Sequence, residues 1–589
     1  MAKRNTFNVD EELDAPFDWS HLKRSLGYMA RYKKNFLLVL LVTIAGMILG
    51  LSIPLLTELV VDEYIPAGNI NGILWLGGAM LVMIVVIVLC NRVKNRLNSV
   101  TGQGIVHDIR DDVYTHLQEL PFDYFDSRPA GKILVRVINY INSVADFLAS
   151  GLITFVLELL SMVVIVFFML SVSPKLTLVV VSGLPLFAIY VFIMKPIQRK
   201  AWQYYNNKQS NLTAYLAENI NGVKITQAFS REGFNEDIYE SLLKENRKAF
   251  MKAVFIIHSL WPITVIVAKL VVAALYVVAI YYLRDEVTPG KLMAMAGFAW
   301  RFWGPVQNLG NVYNNLVSTV SYLERIFQVL DEKVTVKDQP GVYELPRING
   351  NVTFLDVDFA YDPETPVLNK VTFEAMAGES IALVGPTGAG KSTVINLLSR
   401  FYNIGGGAVY VDGHDIQEVS LTSLRSQMGV MLQDTFIFSG NIMENIRYGR
   451  LNATDEECIA AAKLVKADEF ISKLPDGYYT VVHERGEGFS AGQKQLLSFA
   501  RTVLSDPRIL ILDEATSSID TQTERLVQEG IAALLKGRTS FIVAHRLSTI
   551  QDCTRILYIS GGKIAETGSH EELLARKGLY YELYMSQIG

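Results

Sequence analysis

Long apolar runs separated by polar, charged segments dominate the first half of the chain. Six runs are long enough to cross a bilayer, because a membrane-spanning helix needs about 20 mostly apolar residues. They cover residues 35–59, 72–90, 147–172, 176–194, 253–283 and 292–316. The sixth run is the weakest candidate, since Arg301, Gln307 and several asparagines interrupt it. The pattern predicts a membrane-spanning α-helical bundle of six helices.

Two connections between these runs are long, and both carry apolar residues at three- and four-residue spacing. The segments are "VTGQGIVHDIRDDVYTHLQEL" and "NNKQSNLTAYLAENINGVKITQAFS". Such spacing predicts helices that continue from the membrane into water. Lysine and arginine cluster at one set of ends of the runs, as at residues 92–96 and 195–200. By the positive-inside tendency, we expect these ends, the N-terminus and both connections to be cytoplasmic.

The chain before the first run divides into two parts. Residues 1–18 are polar and mixed in charge, which predicts a flexible tail and provides no cleavable signal sequence. Residues 19–34 carry apolar and aromatic side chains at near-helical spacing among basic residues. This pattern predicts a helix on the membrane surface, with a solvated lead-in helix as the alternative.

The composition changes in the second half of the chain. Short β-rich runs such as "SIALVG", "ILILDEA" and "TSFIVAH" alternate there with helical stretches. This alternation is typical of an α/β domain with a largely parallel central sheet. We therefore expect a transmembrane domain at 19–325, a polar linker at 326–345 and an α/β domain at 346–589.

Charge and cysteine content exclude several classes of protein. The formal net charge of −5 over 589 residues argues against a nucleic-acid-binding surface. The three cysteines, Cys90, Cys458 and Cys553, have neither metal-ligand spacing nor a pairing pattern. The sequence therefore predicts no zinc site and no disulfide framework.

A glycine-rich turn lies between a predicted buried strand and a helix in "SIALVGPTGAGKSTVINLLSRF". Glycines let the backbone curl so that its N–H groups converge on phosphate oxygens, and the start of the helix adds its dipole. Lys391 supplies positive charge for the β- and γ-phosphates, and Ser392 offers a hydroxyl to Mg²⁺. The residues predicted to bind ATP here are Gly385, Thr387, Gly388, Gly390, Lys391, Ser392 and Thr393.

The strand "RILILDE" ends in two adjacent carboxylates. Asp513 is placed to hold Mg²⁺ through water, and Glu514 to orient the attacking water or accept its proton. In the alternative interpretation, the two side chains only cap the next turn. The phosphate loop earlier in the chain favours the catalytic interpretation.

Six ordered motifs make the chain resemble the ABC transporter family, specifically its exporter-type half-transporters. They are "FAYDPETPVL", "GPTGAGKST", "LQDTFIFSGNIMENI", "FSAGQKQ", "ILILDEATSSID" and "VAHRLST". The resemblance implies six membrane helices before one nucleotide-binding domain, with ATP hydrolysis driving alternating access. It also implies that Tyr361 stacks on adenine, Gln433 senses Mg²⁺ and the attacking water, Asp520 links two ATP sites, and His545 contacts the γ-phosphate.

The motif "FSAGQKQ" corresponds to the family signature LSGGQ, with Phe489 for Leu and Ala491 for Gly. The resemblance implies that Ser490, Gly492 and Gln493 of one chain close over the γ-phosphate of ATP held by another. A second half-transporter is therefore expected as partner, with a heterodimer favoured over a homodimer. We expect activity to survive both replacements unless Ala491 requires a positive φ.

Polar groups inside spans are costly and are therefore functional candidates. Lys269 lies in the fifth run, and Arg301 lies in the sixth beside Trp300 and Trp303. These four residues predict a cavity with cationic and aromatic lining for a small amphipathic molecule that can carry negative charge. Alternatively, Lys269 pairs with a carboxylate or carbonyl of a neighbouring helix.

The motifs and the resemblance together favour an ATP-driven exporter of hydrophobic or amphipathic compounds, of the multidrug type, in a bacterial plasma membrane. A lipid flippase or a peptide exporter is the nearest alternative. An ATP-gated channel or regulator is an alternative of another class. The intact Glu514 and His545 disfavour it, because such a protein need not retain a hydrolytic pair.

Overall fold

The computed structural model describes residues 19–128, 130–362, 364–431, 435–513, 521–543 and 550–588, so the tail expected at 1–18 lies outside the described residues. The chain divides into two compact units. The first comprises Met1–Gln118 and Ala130–Glu332, and the second comprises Glu119–Pro129 and Lys333–Gly589. A short segment between two helices of the first unit thus packs with the second unit.

Helices build the described part of the first unit. Their bounds are α1 Trp19–Arg31, α2 Lys33–Leu59, α3 Ile70–Glu119, α5 Ala130–Val135, α6 Ile141–Asp146, α7 Leu152–Val172, α8 Pro174–Val181, α9 Gly183–Asn221, α10 Val223–Ala228, α11 Glu232–His258, α12 Leu260–Tyr282 and α13 Pro289–Leu330. Single π-helical turns lie at Val60–Tyr64, Arg136–Tyr140 and Phe147–Gly151. Between α3 and α5, the short α4 (Phe122–Asp126) belongs to the second unit.

Five stretches of the described chain are long and apolar enough to cross a membrane. They are Lys33–Tyr64, Ile70–Glu119, Ile133–Val172, Pro174–Asn221 and Glu232–Tyr282. The sixth predicted span corresponds to α13, a 42-residue helix whose polar side chains keep it outside that set. It continues to Leu330, inside the segment that the sequence assigns to the linker.

Both long connections are helical, as their spacing predicts. The first connection is part of α3, a helix of 50 residues. The second is part of α9, a helix of 39 residues, and of the short α10 that follows it. Residues 19–31 are also helical, and this helix α1 docks on the end of α13. Arg24 binds Asp331 at 2.6 Å, and its guanidinium lies 4.3 Å from the ring centre of Phe327.

The second unit contains two larger sheets. The strands are β1 Val352–Asp362, β2 Thr365–Ala375, β3 Ser380–Val384, β4 Gly406–Val411, β5 His414–Asp415, β6 Met428–Met431, β7 Gly440–Asn441, β8 Val481–Val482, β9 Ile509–Asp513, β10 Thr539–Val543, β11 Arg555–Ser560 and β12 Lys563–Gly568. One sheet has the order β12-β11-β3-β10-β9-β6, and all its pairs except β11 with β12 are parallel. This confirms the largely parallel central sheet.

The other large sheet, β2-β1-β4-β5, is antiparallel, and the sequence pattern did not distinguish it from the central sheet. The helices of this unit are α14 Lys391–Leu398, α15 Leu421–Arg425, α16 Ile442–Arg447, α17 Asp455–Leu464, α18 Asp468–Ile471, α19 Ala491–Leu504, α20 Thr521–Leu535, α21 His570–Arg576 and α22 Leu579–Ile588. Strands β3 and β9 are almost fully buried, as expected for a parallel sheet covered on both faces.

A carboxylate after β4 organises the entry to the antiparallel sheet. Asp412 accepts hydrogen bonds from the backbone N–H groups of Asn349, Gly350 and Asn351, and from the Asn351 side chain at 2.9 Å. Burial by itself raises the pKa of Asp412, but these donors outweigh it and hold the pKa below its usual value. The ionised carboxylate therefore stabilises the fold.

We expect Asp412→Asn to lower the melting temperature of the second unit at neutral pH, because an amide oxygen accepts these hydrogen bonds more weakly. A depressed folded-state pKa stabilises above the unfolded value of about 3.9, and this stabilisation is lost as pH falls through the folded value. The difference between variant and wild type should therefore shrink below about pH 4. Thermal denaturation across pH measures this, and a difference independent of pH would contradict it.

Candidate functional site

Three neighbouring parallel strands bring the predicted phosphate loop and Asp513 to one edge of the central sheet. Strand β3 pairs with β10, and β10 pairs with β9, where Val543 lies opposite Asp513. The loop follows Val384 at the end of β3. Because carboxyl ends of parallel strands lie at a common edge, ligands of such sheets bind there.

The loop between β3 and α14 is curled through left-handed glycine conformations. The φ angles are +146° at Gly385, +81° at Gly388 and +104° at Gly390. A Cβ atom on Gly385 would lie 2.1 Å from the backbone oxygen of Ile559, and one on Gly390 would lie 2.7 Å from Leu368. Only glycine adopts this backbone here without strain, as the phosphate-loop prediction requires.

Lys391 lies at the start of α14 with 8% of its surface exposed. Its ammonium group donates to the backbone oxygens of Gly385 at 2.9 Å and Pro386 at 3.0 Å. Burial lowers the pKa of Lys391, while the nearby carboxylate of Asp513 partly opposes that shift. A buried positive charge enclosed by a glycine-rich loop can bind the phosphates of a nucleotide.

The other predicted residues of the loop differ in exposure. The side chains of Thr387 and Ser392 are exposed, whereas Thr393 is 4% exposed. The Thr393 hydroxyl lies 3.2 Å from the hydroxyl of Tyr361, which is the next-to-last residue of β1 and is 46% exposed. The Tyr361 ring is therefore available beside α14, where the resemblance assigns it to adenine.

An aromatic and polar contact near Tyr361 was missed by the sequence analysis. The rings of Tyr361 and Tyr402 meet edge to face at 5.1 Å. The Tyr402 hydroxyl donates to Asp126 of α4 at 2.7 Å, and burial together with this bond raises the pKa of Tyr402. Phe401 stacks on Phe122 of α4 with ring centres 4.4 Å apart. The second unit thus holds α4 next to the predicted adenine platform.

The signature turn leads directly into α19. Ser490 accepts from the Gln493 backbone N–H at 3.2 Å, and Gln493 accepts from the Ser490 N–H at 2.9 Å, which forms a capping box. Ala491 is the first residue of α19 and has no positive φ, so its methyl group strains no backbone. Phe489 packs against the core beside Phe470, as expected of an apolar anchor.

Several predicted residues fall outside the described part of the chain. These are Gln433, Glu514, Asp520 and His545. Their roles remain predictions from the motifs in which they lie. Gly492, which follows Ala491 in α19, is described and buried.

The four residues predicted to line a membrane cavity have different environments. Trp300 is 57% exposed on α13, and Lys269 is exposed on α12. Trp303 is 1% exposed and meets Phe187 edge to face, so it packs inside the helical core and presents no open surface. Arg301 donates to the backbone oxygen of Gly50 in α2 at 2.6 Å.

A further polar pair in the membrane unit was not anticipated. Asn308 of α13 donates to Glu158 of α7 at 2.7 Å. Glu158 lies inside the apolar stretch "LITFVLELLSMVVIVFFML", where a lone carboxylate is a recognisable signal.

Comparisons with known proteins identify the class of protein that this fold and site define. The family description "ABC transporter transmembrane region" matches residues 36–306, and "ABC transporter" matches residues 368–517. The chain is 41% identical over 591 residues to an ABC transporter ATP-binding protein, YknV, of Bacillus subtilis (strain 168), covering 100% of this chain and 98% of the relative.

Two further comparisons agree with this class. A "Fatty acid ABC transporter ATP-binding/permease protein" of Mycobacterium tuberculosis (strain CDC 1551 / Oshkosh) is 39% identical over 490 residues, covering 83% of this chain and 77% of that protein. A solved structure described as "Structure of a bacterial Atm1-family ABC exporter with ATP bound" has 30% identity and a TM-score of 0.78, covering 97% and 99% of the two chains.

The chain belongs to the ABC transporter family, as an exporter with fused transmembrane and ATP-binding domains. It is a membrane protein that binds ATP and couples ATP hydrolysis to transport. Half-transporters of this kind dimerise.

Proposed function

We propose that this chain is one half of an exporter that moves hydrophobic or amphipathic compounds, of the multidrug type. The observation that carries the proposal is an exposed face of α13 that carries a glycine and two asparagines. Gly304, Asn308 and Asn315 are exposed and recur on one face of the helix at spacings of four and seven residues. Polar groups facing lipid are costly, so this face lines a water-accessible path between the two halves.

The same region offers apolar and charged groups to a transported compound. Trp300 is 57% exposed near this face, and Glu158 is held against Asn308. An amphipathic molecule can contact both the apolar Trp300 ring and the polar groups, whereas a strongly hydrophilic molecule would offer no apolar surface to that ring. The relative named as a fatty acid transporter is consistent with a compound that carries an acyl chain.

In the proposed ATP site, each residue has a distinct task. Lys391 and the curled loop bind the phosphates, and Tyr361 stacks on adenine. Ser392 and Asp513, with Gln433, would hold Mg²⁺, which supplies charge neutralisation between the phosphates. Their oxygen-rich side chains suit that ion.

In the same proposal, Glu514 activates the attacking water and His545 contacts the γ-phosphate. Catalysis then consists mainly of positioning and charge stabilisation. Asp520 links the two ATP sites of the dimer.

We also propose that the partner is a second half-transporter, with a heterodimer favoured over a homodimer. The signature residues Ser490, Gly492 and Gln493 would complete the ATP site of that partner. A second feature supports a partner. The short helix α10, between α9 and α11, and the residue after it expose apolar side chains, at 45% for Val223, 66% for Ile225 and 72% for Phe229. Such an apolar surface in water needs a complementary surface, and a partner's ATP-binding domain would supply it.

The substrate class can be tested with the purified transporter in proteoliposomes. We expect ATP hydrolysis to be stimulated by an uncharged amphipathic dye and by a long-chain fatty acid. A hydrophilic peptide of similar mass should have no effect. Stimulation by the peptide alone would contradict the proposal and favour a peptide exporter.

The contact between α4 and the ATP-binding domain gives a further prediction. Tyr402→Phe removes the hydroxyl that donates to the Asp126 carboxylate, a loss of up to about 1.5–3 kcal/mol at this contact. We expect the amount of dye moved per ATP hydrolysed to fall, because α4 lies between two membrane helices in the chain and this contact joins it to the ATP-binding domain. Both rates are measured in the same vesicles.

Tyr478→Phe is a matched control, because its hydroxyl donates to Asp468 at the same 2.7 Å within the ATP-binding domain. That variant should leave the coupling ratio near the wild-type value. Equal losses in both variants would contradict a specific role for Tyr402.

A further inference from the structure

Prolines lie well inside several helices of the membrane unit: Pro54 in α2, Pro196 in α9 and Pro305 in α13. Proline has no N–H group, so it leaves the carbonyl four positions earlier without its helical hydrogen bond. In α2 and α13 the released carbonyls belong to Gly50 and to Arg301 itself. Gly50 is buried, so its carbonyl needs a partner from the protein.

The carbonyl released in α2 has a partner from α13. The Arg301 guanidinium donates from Nη1 to the Gly50 oxygen at 2.6 Å, across 251 positions of sequence. Gly50 eases the close approach, because a Cβ atom there would lie 3.2 Å from Nη1, inside ordinary van der Waals contact. Pro305 releases the carbonyl of Arg301, and the side chain of the same Arg301 binds the Gly50 carbonyl that Pro54 releases.

A second hydrogen-bonded contact joins the same helices near the end of the membrane unit. Asp62, in the π-helical turn after α2, accepts from the Gly290 backbone N–H at 2.7 Å and from the hydroxyl of Thr288. Thr288 and Gly290 form the start of α13. The helices α2 and α13 are therefore bound to each other at two levels.

We propose that Arg301 is a positioning residue whose hydrogen bond to Gly50, called the tie below, links α2 near Pro54 to α13 near Pro305, so that the two helices move as a pair during transport. Prolines inside helices are points at which helices bend, and alternating access requires membrane helices to change their tilt. With the tie in place, bending at Pro54 is coupled to bending at Pro305. The inference rests on α2 and α13 alone and does not depend on which compound is exported.

The tie can be tested by restoring the missing N–H group. In a Pro54→Ala protein, the alanine N–H can pair with the Gly50 carbonyl, so Arg301 is no longer needed there. We expect Arg301→Met to lower the melting temperature of the full-length protein by roughly 3–6 °C when Pro54 is present. The same substitution should cost less than about half of that in the Pro54→Ala background.

Pro305→Ala is the matched control for this cycle. It restores an N–H group for the carbonyl of residue 301 but none for the Gly50 carbonyl, which still depends on Arg301. Arg301→Met should therefore cost as much in the Pro305→Ala background as with both prolines present. Equal costs of Arg301→Met in the wild-type and Pro54→Ala backgrounds would overturn the proposal.

A transport readout separates positioning from substrate contact. The amount of dye moved per ATP hydrolysed should fall in Arg301→Met and stay low when Pro54→Ala is added, because the alanine N–H pairs with the Gly50 carbonyl without joining α2 to α13. If Arg301→Met instead raises the KM for dye equally in both backgrounds without changing the melting temperature, Arg301 contacts substrate and the tie is wrong.

Should Pro54→Ala fail to fold, Arg301→Lys replaces the cycle, because lysine keeps a donor of similar reach. Partial recovery of stability and coupling with lysine, relative to methionine, is then the expected result. Equal losses with lysine and methionine would overturn the proposal. Because the melting temperature requires no transported compound, a failure here is distinguishable from a failure of the proposed substrate class.

Discussion

Replacing Glu514 with glutamine is expected to reduce ATP hydrolysis by about 10²- to 10⁴-fold, the usual contribution of a general base. The carboxamide has nearly the same shape but cannot accept the proton of the attacking water. ATP should still bind, because Lys391 and the glycine-rich loop that hold the phosphates are unchanged. The variant should therefore accumulate bound ATP while transport stops.

Phosphate release and retention of radiolabelled ATP measure these two effects on the same sample. Glu469→Gln serves as the control, since Glu469 is exposed on α18, and it should hydrolyse ATP at the wild-type rate. Unchanged hydrolysis in Glu514→Gln would exclude Glu514 as the base. Loss of both hydrolysis and ATP binding would indicate instead that Glu514 supports the structure of the site.

Lys391→Met should weaken ATP binding by roughly 10- to 100-fold, because a hydrogen bond to a charged group is worth about 1.5–3 kcal/mol. Methionine keeps the length of the side chain but removes the ammonium group that lies within the loop. It also leaves the carbonyls of Gly385 and Pro386 without this donor. Titration calorimetry of the full-length protein with ATP measures the change in Kd.

Lys463→Met provides the comparison for charge removal elsewhere, as Lys463 is exposed on α17. Its Kd for ATP should equal that of the wild type. A Kd for Lys391→Met within twofold of that value would mean that the curled backbone alone binds the phosphates.

Local patterns were sufficient to predict much of this fold. Apolar runs of membrane length and the helical spacing in the connections correspond to helices α2, α3, α7, α9 and α12. The buried run before the glycine-rich turn became β3, and its φ angles are those that the glycines allow. These features depend on residues close in sequence, where periodicity and backbone freedom act directly.

Strand partners could not be read in the same way. Strand β1 has an alternating, strand-like pattern, but nothing in it distinguishes pairing with β2 and β4 from a place in the parallel sheet. That choice depends on packing against distant parts of the chain.

Functional contacts between distant residues were also missed. Tyr402 and Asp126 are 276 positions apart, too far for a local pattern to pair them. For the hydrogen bond from Arg301 to Gly50, the sequence contains part of the information, because a proline inside a span indicates that the carbonyl four positions earlier needs another donor. The sequence could show that Gly50 needed a partner, but only the three-dimensional arrangement identified it.

The most direct test of ATP-driven export is the uptake of an amphipathic fluorescent dye by inside-out membrane vesicles that contain the assembled transporter. Vesicles carrying the Glu514→Gln chain serve as the control. We predict uptake that requires ATP and disappears in the variant. Uptake that continues at the same rate in the variant, or ATP hydrolysis by the wild type without movement of any amphipathic compound, would contradict the assignment.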